Sequence, residues 1–271
     1  MESFVASAVQ FMAGTDQEAN LRQAAALVRR AAEAGAALVA LPELFCWRGD
    51  PREEPKSAQP IPGPLSDRLA EIAARCSVHL VAGSVLERAE DAARCYNTAL
   101  LFGPDGTLLA RYRKIHLFDV EVPGKVRARE SATRKSGTEV VCAKTPLGRI
   151  GLAVCYDLRF PELFRRLADD GAEIVVVPSA FTAPTGRAHW HVLVRARAIE
   201  NQCFLVAPNQ VGPTVHGFDN YGHSLIVDPW GEILAEAGEE PGEVVAARLE
   251  AERLIETRRN LPSLEHRRLD R

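Results

Sequence analysis

The chain has 271 residues, enough to bury a sizeable core in one large domain or two small ones. It is 46% hydrophobic and 25% charged, with a formal net charge of -3. That mild acidity argues against nucleic acid as a partner, which needs a clustered basic surface, and no run approaches the roughly 20 apolar residues of a membrane span.

The opening "MESFVASAVQFM" has no basic region ahead of its apolar stretch and reads directly into a strand, so no secretory signal is expected. "QEANLRQAAALVRRAAEAGA" follows with helical spacing and a terminal glycine. "ALVALPELF" is a short buried strand stopped by Pro42, and "PLSDRLAEIAARC" a second helix with Leu65, Leu69, Ile72 and Ala73 on one face. "VHLVAGSVLE" is another strand, and "NTALLFGPDGTLLARYRKIH" two strands around a Pro-Asp-Gly turn. "RARESATRKSG" is polar and reads as a long loop. The second half repeats the order: strand "IGLAVCYDL", helix "PELFRRLADDGA", strand "EIVVVPSAF", helix "GRAHWHVLVRARAIENQ", strand "CFLVAPNQ" and the turn-centred pair "GHSLIVDPWGEILAEA". The C-terminal "RRNLPSLEHRRLDR" is locally basic, but Glu265 and Asp270 interrupt it, and it reads as a solvated or interface tail.

The repetition is quantitative. Pro104 and Pro229, Gly106 and Gly231, and the segments "HLVAG" at 79 and "FLVAP" at 204 are all 125 residues apart. Such self-similarity predicts one pseudo-symmetric unit of two matching β/α halves. Buried strands alternating with helices, each half covering one side only, predict two sheets packed face to face with helices outside, an αββα sandwich. A single doubly wound sheet is the second option.

Three reactive side chains fall where the halves differ. Glu43 follows Pro42 where Ser179 follows Pro178, Cys155 stands where the first strand has Gln10, and Lys114 has Glu239 as its counterpart. Each is predicted at or just past the C-terminal end of a strand, where ligands bind in open α/β sheets. Alone, a buried cysteine is an inert small hydrophobe, and a glutamate or lysine at a strand end is an ordinary surface charge. Together they make acyl-transfer chemistry. A carboxylate desolvated by "LVALPELF" can deprotonate a thiol, and a fixed ammonium with a backbone N–H can stabilise the oxyanion.

The cysteines at 46, 76, 95, 142, 155 and 203 show no C-x-x-C spacing, which disfavours zinc sites and disulfide scaffolds and fits a reducing cytoplasm. His189 and His191 flank Trp190, a spacing that sends them to different helix faces, and no metal is expected.

"LPELF" with Glu43, "YRKIHLFD" with Lys114 and "GLAVCYDLRFPEL" with Cys155, in this order, resemble the nitrilase, or carbon-nitrogen hydrolase, superfamily over essentially the whole chain, taken as a single domain of residues 1–271. The resemblance implies a Glu–Lys–Cys triad, with Glu130 as an additional glutamate orienting the lysine and the Tyr156 backbone N–H completing the oxyanion hole. It also implies the αββα fold, a homodimer, and no metal or organic cofactor. "KIHLFDVEVPGK", "PSAFTAPTGRAHWHVLVRARAIENQ" and "YGHSLIVDPWGE" are similar to the branch of the ω-amidases and deaminated-glutathione amidases, with "RRNLPSLEHRR" leaning to the latter. The implied substrate is a small acidic amide, deaminated glutathione first and a 2-oxo acid ω-amide second, ahead of a nitrile or a non-catalytic role. An acidic acyl group needs a cation, and Arg187, expected in the first turn of its helix, is the candidate, with Arg195 and Arg197 next.

Overall fold

The computed structural model of the chain describes residues 1–215 and 217–269. The first half runs β1 (Phe4–Val9), α1 (Gln17–Glu33), β2 (Ala36–Ala40), a short α2 (Glu54–Ser57), α3 (Pro64–Cys76), β3 (His79–Arg88), β4 (Cys95–Phe102) and β5 (Leu108–Arg113). A middle segment carries the hairpin β6 (Asp119–Val122) and β7 (Val126–Arg129) and the two-residue β8 (Arg134–Lys135). The second half runs β9 (Val141–Thr145), β10 (Gly148–Leu152), α4 (Pro161–Asp169), β11 (Ile174–Val176), α5 (Ala183–Asn201) and β12 (Phe204–Ala207). A small pair, β13 (Val211–Pro213) and β14 (Asp219–Tyr221), precedes β15 (Leu225–Val227) and β16 (Ile233–Glu236); β17 (Val244–Leu249) and α6 (Ala251–Asn260) follow.

One sheet has the order β17-β1-β2-β3-β4-β5, with β8 beside β4, and the other β16-β15-β12-β11-β10-β9. In each, three parallel strands are flanked by antiparallel ones. The repeat is therefore structural: β12 and β16 start 125 residues after β3 and β5, at Phe204 against His79 and Ile233 against Leu108. The exception is at one edge. The strand equivalent to β9 comes from the far end of the chain, where β17 pairs Leu249 with Phe4 and Val244 with Val9. The basic C-terminal stretch is likewise tied down. Arg258 donates to the carbonyls of Gln202 (3.0 Å) and Ala172 (2.8 Å), while Asp270 lies outside the described residues.

Strand alternation sorts the layers. Phe4, Ala6 and Ala8 of β1 and Leu38 and Ala40 of β2 pack with the second sheet, while Val9, Val39 and Leu41 pack with the helices. Leu21, Leu27 and Val28 of α1 and Leu65 and Leu69 of α3 cover the first sheet, and Phe164, Trp190 and Val194 of α4 and α5 cover the second. The result is the four-layer αββα sandwich; two separate sheets replace the doubly wound alternative. Asp16 starts α1 by accepting the Ala19 N–H (2.9 Å), and Gly35, at φ 88°, lets the chain turn from α1 into β2. Among the described residues no helix is long and apolar enough to cross a membrane.

Gly83 of β3 marks a close approach of backbone to the chain leaving β2. A Cβ there would stand 1.4 Å from the Leu41 carbonyl oxygen and 2.8 Å from Pro178 Cβ, and Leu41 is itself held by its N–H bond to Val81 (2.9 Å). Gly83→Ala is expected to cost roughly 1–3 kcal/mol or more in urea unfolding, as overpacking does. An unchanged midpoint would show that the Leu41 backbone yields freely.

Candidate active site

Three chain segments leave the sheets at their C-terminal ends and converge. Past β2, the Glu43 N–H donates to the Ser179 carbonyl (3.3 Å), and the Glu43 carbonyl accepts Gln210 Nε2 (2.9 Å). Glu43 and Ser179, counterparts in the repeat, thus meet across the two halves. The buried Glu43 carboxylate accepts Asn97 Nδ2 (2.7 Å) and Lys114 Nζ (3.0 Å) at Oε1. Lys114 follows β5, fixed by its N–H to Asn97 (2.8 Å) and by the Gly137 N–H to its carbonyl (2.8 Å). It is 1% exposed, and its ammonium also donates to Glu130 Oε2 (3.0 Å).

Cys155 does not continue its strand. β10 stops at Leu152, and Cys155–Arg159 form a 3-10 turn with Cys155 at φ 48°. That left-handed conformation is strained for a side chain and persists only where surroundings over-determine it. Here the Cys155 N–H donates to Pro178 (2.9 Å), and buried Asp157 gathers the turn. Asp157 accepts the Val154 N–H (2.8 Å), the Tyr112 hydroxyl (2.7 Å) and the His116 N–H (3.0 Å), with His116 Nδ1 at 2.7 Å. The His116 ring stacks on Phe160 at 3.6 Å. Asp157 was not singled out from the sequence, although it stands two residues from Cys155.

Glu130 lies in a short turn directly after β7, and the expected long loop is in part a hairpin. Its carboxylate accepts the Phe118 N–H (2.9 Å) and pairs with Arg134, which grips Glu54 through Nε (2.8 Å) and Nη2 (2.5 Å). Arg134 carried one signal, its position four residues after Glu130; Glu54, in the charged "REEPK", carried none.

The electrostatics follow from burial and pairing. Burial pushes the Cys155 thiol well up and the Glu43 carboxylate adds to it, against the weaker pull of Lys114 and the Ala180 N–H. Burial alone would discharge Lys114, but Glu130 and Glu43 outweigh it and hold the ammonium well above the ordinary lysine range. Burial would raise Glu130, yet Arg134, Lys114 and the Phe118 N–H hold it at about 2. At neutral pH the site therefore contains a protonated thiol beside a fixed positive charge, and attack requires a base at that moment.

These groups face a cavity of about 270 Å³, walled by Phe118, Tyr156 and Phe181 among others. The Tyr156 ring packs edge-on to Phe118 and Phe160. Arg48, Arg127, Arg129 and Arg159 also line it. The lining carboxylates Glu43, Glu54 and Glu130 pair with Lys114 and Arg134, and among the described residues these four arginines make no ion pair within 4 Å. Among the described residues, buried Arg48 Nε finds no hydrogen-bond partner. Arg187 is not in this wall. α5 begins at Ala183, three residues earlier than expected, so Arg187 sits in the second turn and is exposed. Arg195 and Arg197 are engaged elsewhere, with the carbonyls of Gly231 (2.7 Å) and Leu158 (3.0 Å).

The Glu130 shift has a measurable sign. Its folded value, about 2, lies below the ordinary 4.5, so its ionisation stabilises the fold above that range and the benefit is lost as pH falls from 4.5 toward 2. Glu130→Gln is expected to flatten this part of the urea-stability profile. Equal slopes in both proteins would show that Glu130 makes no net favourable charge interaction.

Residues 5–259 match the carbon-nitrogen hydrolase family. The chain is 42% identical over 270 residues to the omega-amidase NIT2 of Xenopus tropicalis, covering 100% of this chain and 97% of that protein. It is 43% identical over 270 residues to the deaminated glutathione amidase of Synechocystis sp., covering 98% and 99%. The solved structure of Saccharomyces cerevisiae Nit3, a member of branch 10 of the nitrilase superfamily, has a TM-score of 0.89 at 33% identity, covering 99% of this chain and 97% of that one. With the fold, the strand-end cysteine and full-length similarity in agreement, this chain belongs to the carbon-nitrogen hydrolase family of the nitrilase superfamily.

Proposed function

We propose that this single-domain chain (residues 1–271) is an amidase that hydrolyses the amide of a small acidic acyl group through a thioester on Cys155. The observation that carries the reading is a thiol, a carboxylate and an ammonium facing a cavity whose wall holds four arginines that, among the described residues, make no ion pair within 4 Å. Cys155 Sγ attacks the amide carbonyl while its proton passes to Glu43. Lys114 and the Tyr156 N–H stabilise the oxyanion, and Glu130 keeps the ammonium aimed. Collapse breaks the C–N bond as Glu43 returns the proton to the leaving nitrogen. Glu43 then takes a proton from water, which attacks the thioester; breakdown releases the acid and restores the Cys155 thiol.

Relatives named as an omega-amidase and as a deaminated glutathione amidase support a shared 2-oxoglutarate acyl half. We assign deaminated glutathione first, releasing 2-oxoglutarate and cysteinylglycine, because it carries a carboxylate on each side of the scissile amide. Arginines from two separate segments, Arg48 and the β7 pair Arg127 and Arg129, suit two such groups. The near-equal identity to the omega-amidase favours a second reading, a 2-oxo acid ω-amide with ammonia leaving. The reading includes a homodimer, supported by the exposed Val192 and Ile199 on α5 and by Trp230, next to the Gly231 that Ile199 contacts. It also includes a reducing cytoplasm, supported by six free cysteines. No metal or organic cofactor enters the steps.

Intact-protein mass spectrometry is expected to catch an acyl adduct on Cys155, and Cys155→Ala to abolish hydrolysis; substantial turnover by that variant rejects the mechanism. Lys114→Arg keeps the charge but not the shape and is expected to lose on the order of 10²–10³ in kcat. A higher kcat/KM on deaminated glutathione than on 2-oxoglutaramate is expected, and the reverse order selects the second reading. Arg48→Gln is expected to raise KM about tenfold or more for either acid while sparing a neutral amide, the loss of a charge-assisted hydrogen bond. Equal effects on charged and neutral substrates remove Arg48 from recognition.

A further inference from the structure

Away from Cys155, three side chains from three elements converge: His191 in the middle of α5, His223 just before β15, and Glu236 at the end of β16. His191 Nε2 and His223 Nδ1 each lie 2.8 Å from the same oxygen, Glu236 Oε1, and the three ligand atoms are all within 4.8 Å of one another. His191 and His223 are partly buried, and Glu236 closes the group from the exposed side. The frame is rigid. The His223 carbonyl accepts Trp190 Nε1 (2.7 Å), its N–H donates to Gly238 (3.2 Å), and its φ is 54°. Tyr221 packs against the His223 ring at 4.5 Å and meets His191 edge-on at 6.0 Å.

As described, one carboxylate oxygen receives two imidazoles. The same three atoms become two nitrogen donors and one oxygen donor once each ring carries its proton on the far nitrogen. For His223 that far nitrogen is Nε2, which faces the Glu239 carboxylate at 3.8 Å, an ion-pair distance beyond hydrogen-bond reach. Tetrahedral ligands at 2.0–2.1 Å from zinc stand about 3.3 Å apart, so each 2.8 Å nitrogen–oxygen spacing has to open by about half an ångström, within a group whose atoms all lie within 4.8 Å of one another. Imidazole and carboxylate together suit a borderline ion such as Zn²⁺, not the all-oxygen shells of Ca²⁺ or Mg²⁺.

We propose that His191, His223 and Glu236 form a site for a Zn²⁺-type divalent ion, with water completing the coordination. The ion takes no part in amide hydrolysis. It joins α5 to the β15–β16 hairpin, so occupancy stabilises the fold by mass action. The sequence conceals the site because its ligands belong to three separate elements.

Calorimetric titration of the chelator-treated full chain with ZnCl₂ is expected to show one saturable equivalent per chain. His191→Ala and Glu236→Gln are expected to abolish it, and Cys155→Ala to retain it. Gln at 236 keeps the shape of the side chain and can still accept the imidazole N–H groups, so lost binding there is not lost folding. Thermal melts are expected to shift upward with Zn²⁺ in wild type and Cys155→Ala but not in His191→Ala. No saturable binding by wild type, binding that survives both ligand substitutions, or binding that disappears in Cys155→Ala would each overturn the proposal, the last by assigning the ion to a thiol.

Discussion

The site depends on keeping one lysine ammonium charged at 1% exposure. Desolvating an ion costs several kcal/mol, and only well-placed opposite charges repay it. Here the compensation is a line of alternating charges, Glu43–Lys114–Glu130–Arg134–Glu54, in which each inner member touches two of opposite sign. Removing any one leaves a neighbour buried and uncompensated, so the line behaves as a unit. In the proposed reaction its value is geometric. An ammonium gripped from two sides cannot follow its own rotamers and would offer the same position to every developing oxyanion.

The fold supplies this line by ending strands together. Two sheets built on one plan place equivalent strand ends near the same junction, and the repeat divides the labour. Glu43 and Lys114 come from the first half and Cys155 from the second. Two of their counterparts, Ser179 and Gln10, form structural hydrogen bonds instead. Ser179 accepts the Glu43 N–H, and Gln10 donates to Gly238 and Glu240 (2.9 Å each) while accepting the Ser224 N–H (3.0 Å). The left-handed Cys155 is held in the same way, by Asp157 on one side and Pro178 on the other.

A cysteine pushed up by burial and by the glutamate beside it is not a resting thiolate. The arrangement differs from a thiol activated by a lowered pKa. In the proposed reaction the carboxylate that disfavours the thiolate at rest is also the group that receives the proton, so charge appears only as the carbonyl is attacked. The histidine nearest the thiol in sequence, His189, contacts Arg159 and is no partner for it.

Period and punctuation made the architecture legible. Strand alternation and helical spacing are local, and with the 125-residue repeat they mark the strand ends on which Glu43, Lys114 and Cys155 sit. What the sequence could not decide was pairing between distant segments. β17 completes the first sheet beside β1, Glu54 finds Arg134, and Asp157 joins Tyr112 and His116, because packing brings together groups that share no local pattern. Arg187 shows the same limit in a single side chain. An α5 that starts three residues early turns the expected substrate contact out to solvent, and the cavity arginines come from other segments. Local sequence determined which elements form and where they stop, since those depend on neighbours within a few residues. The tertiary structure decided which charges face each other, since burial energies depend on every group within a few ångströms, wherever it lies in the chain.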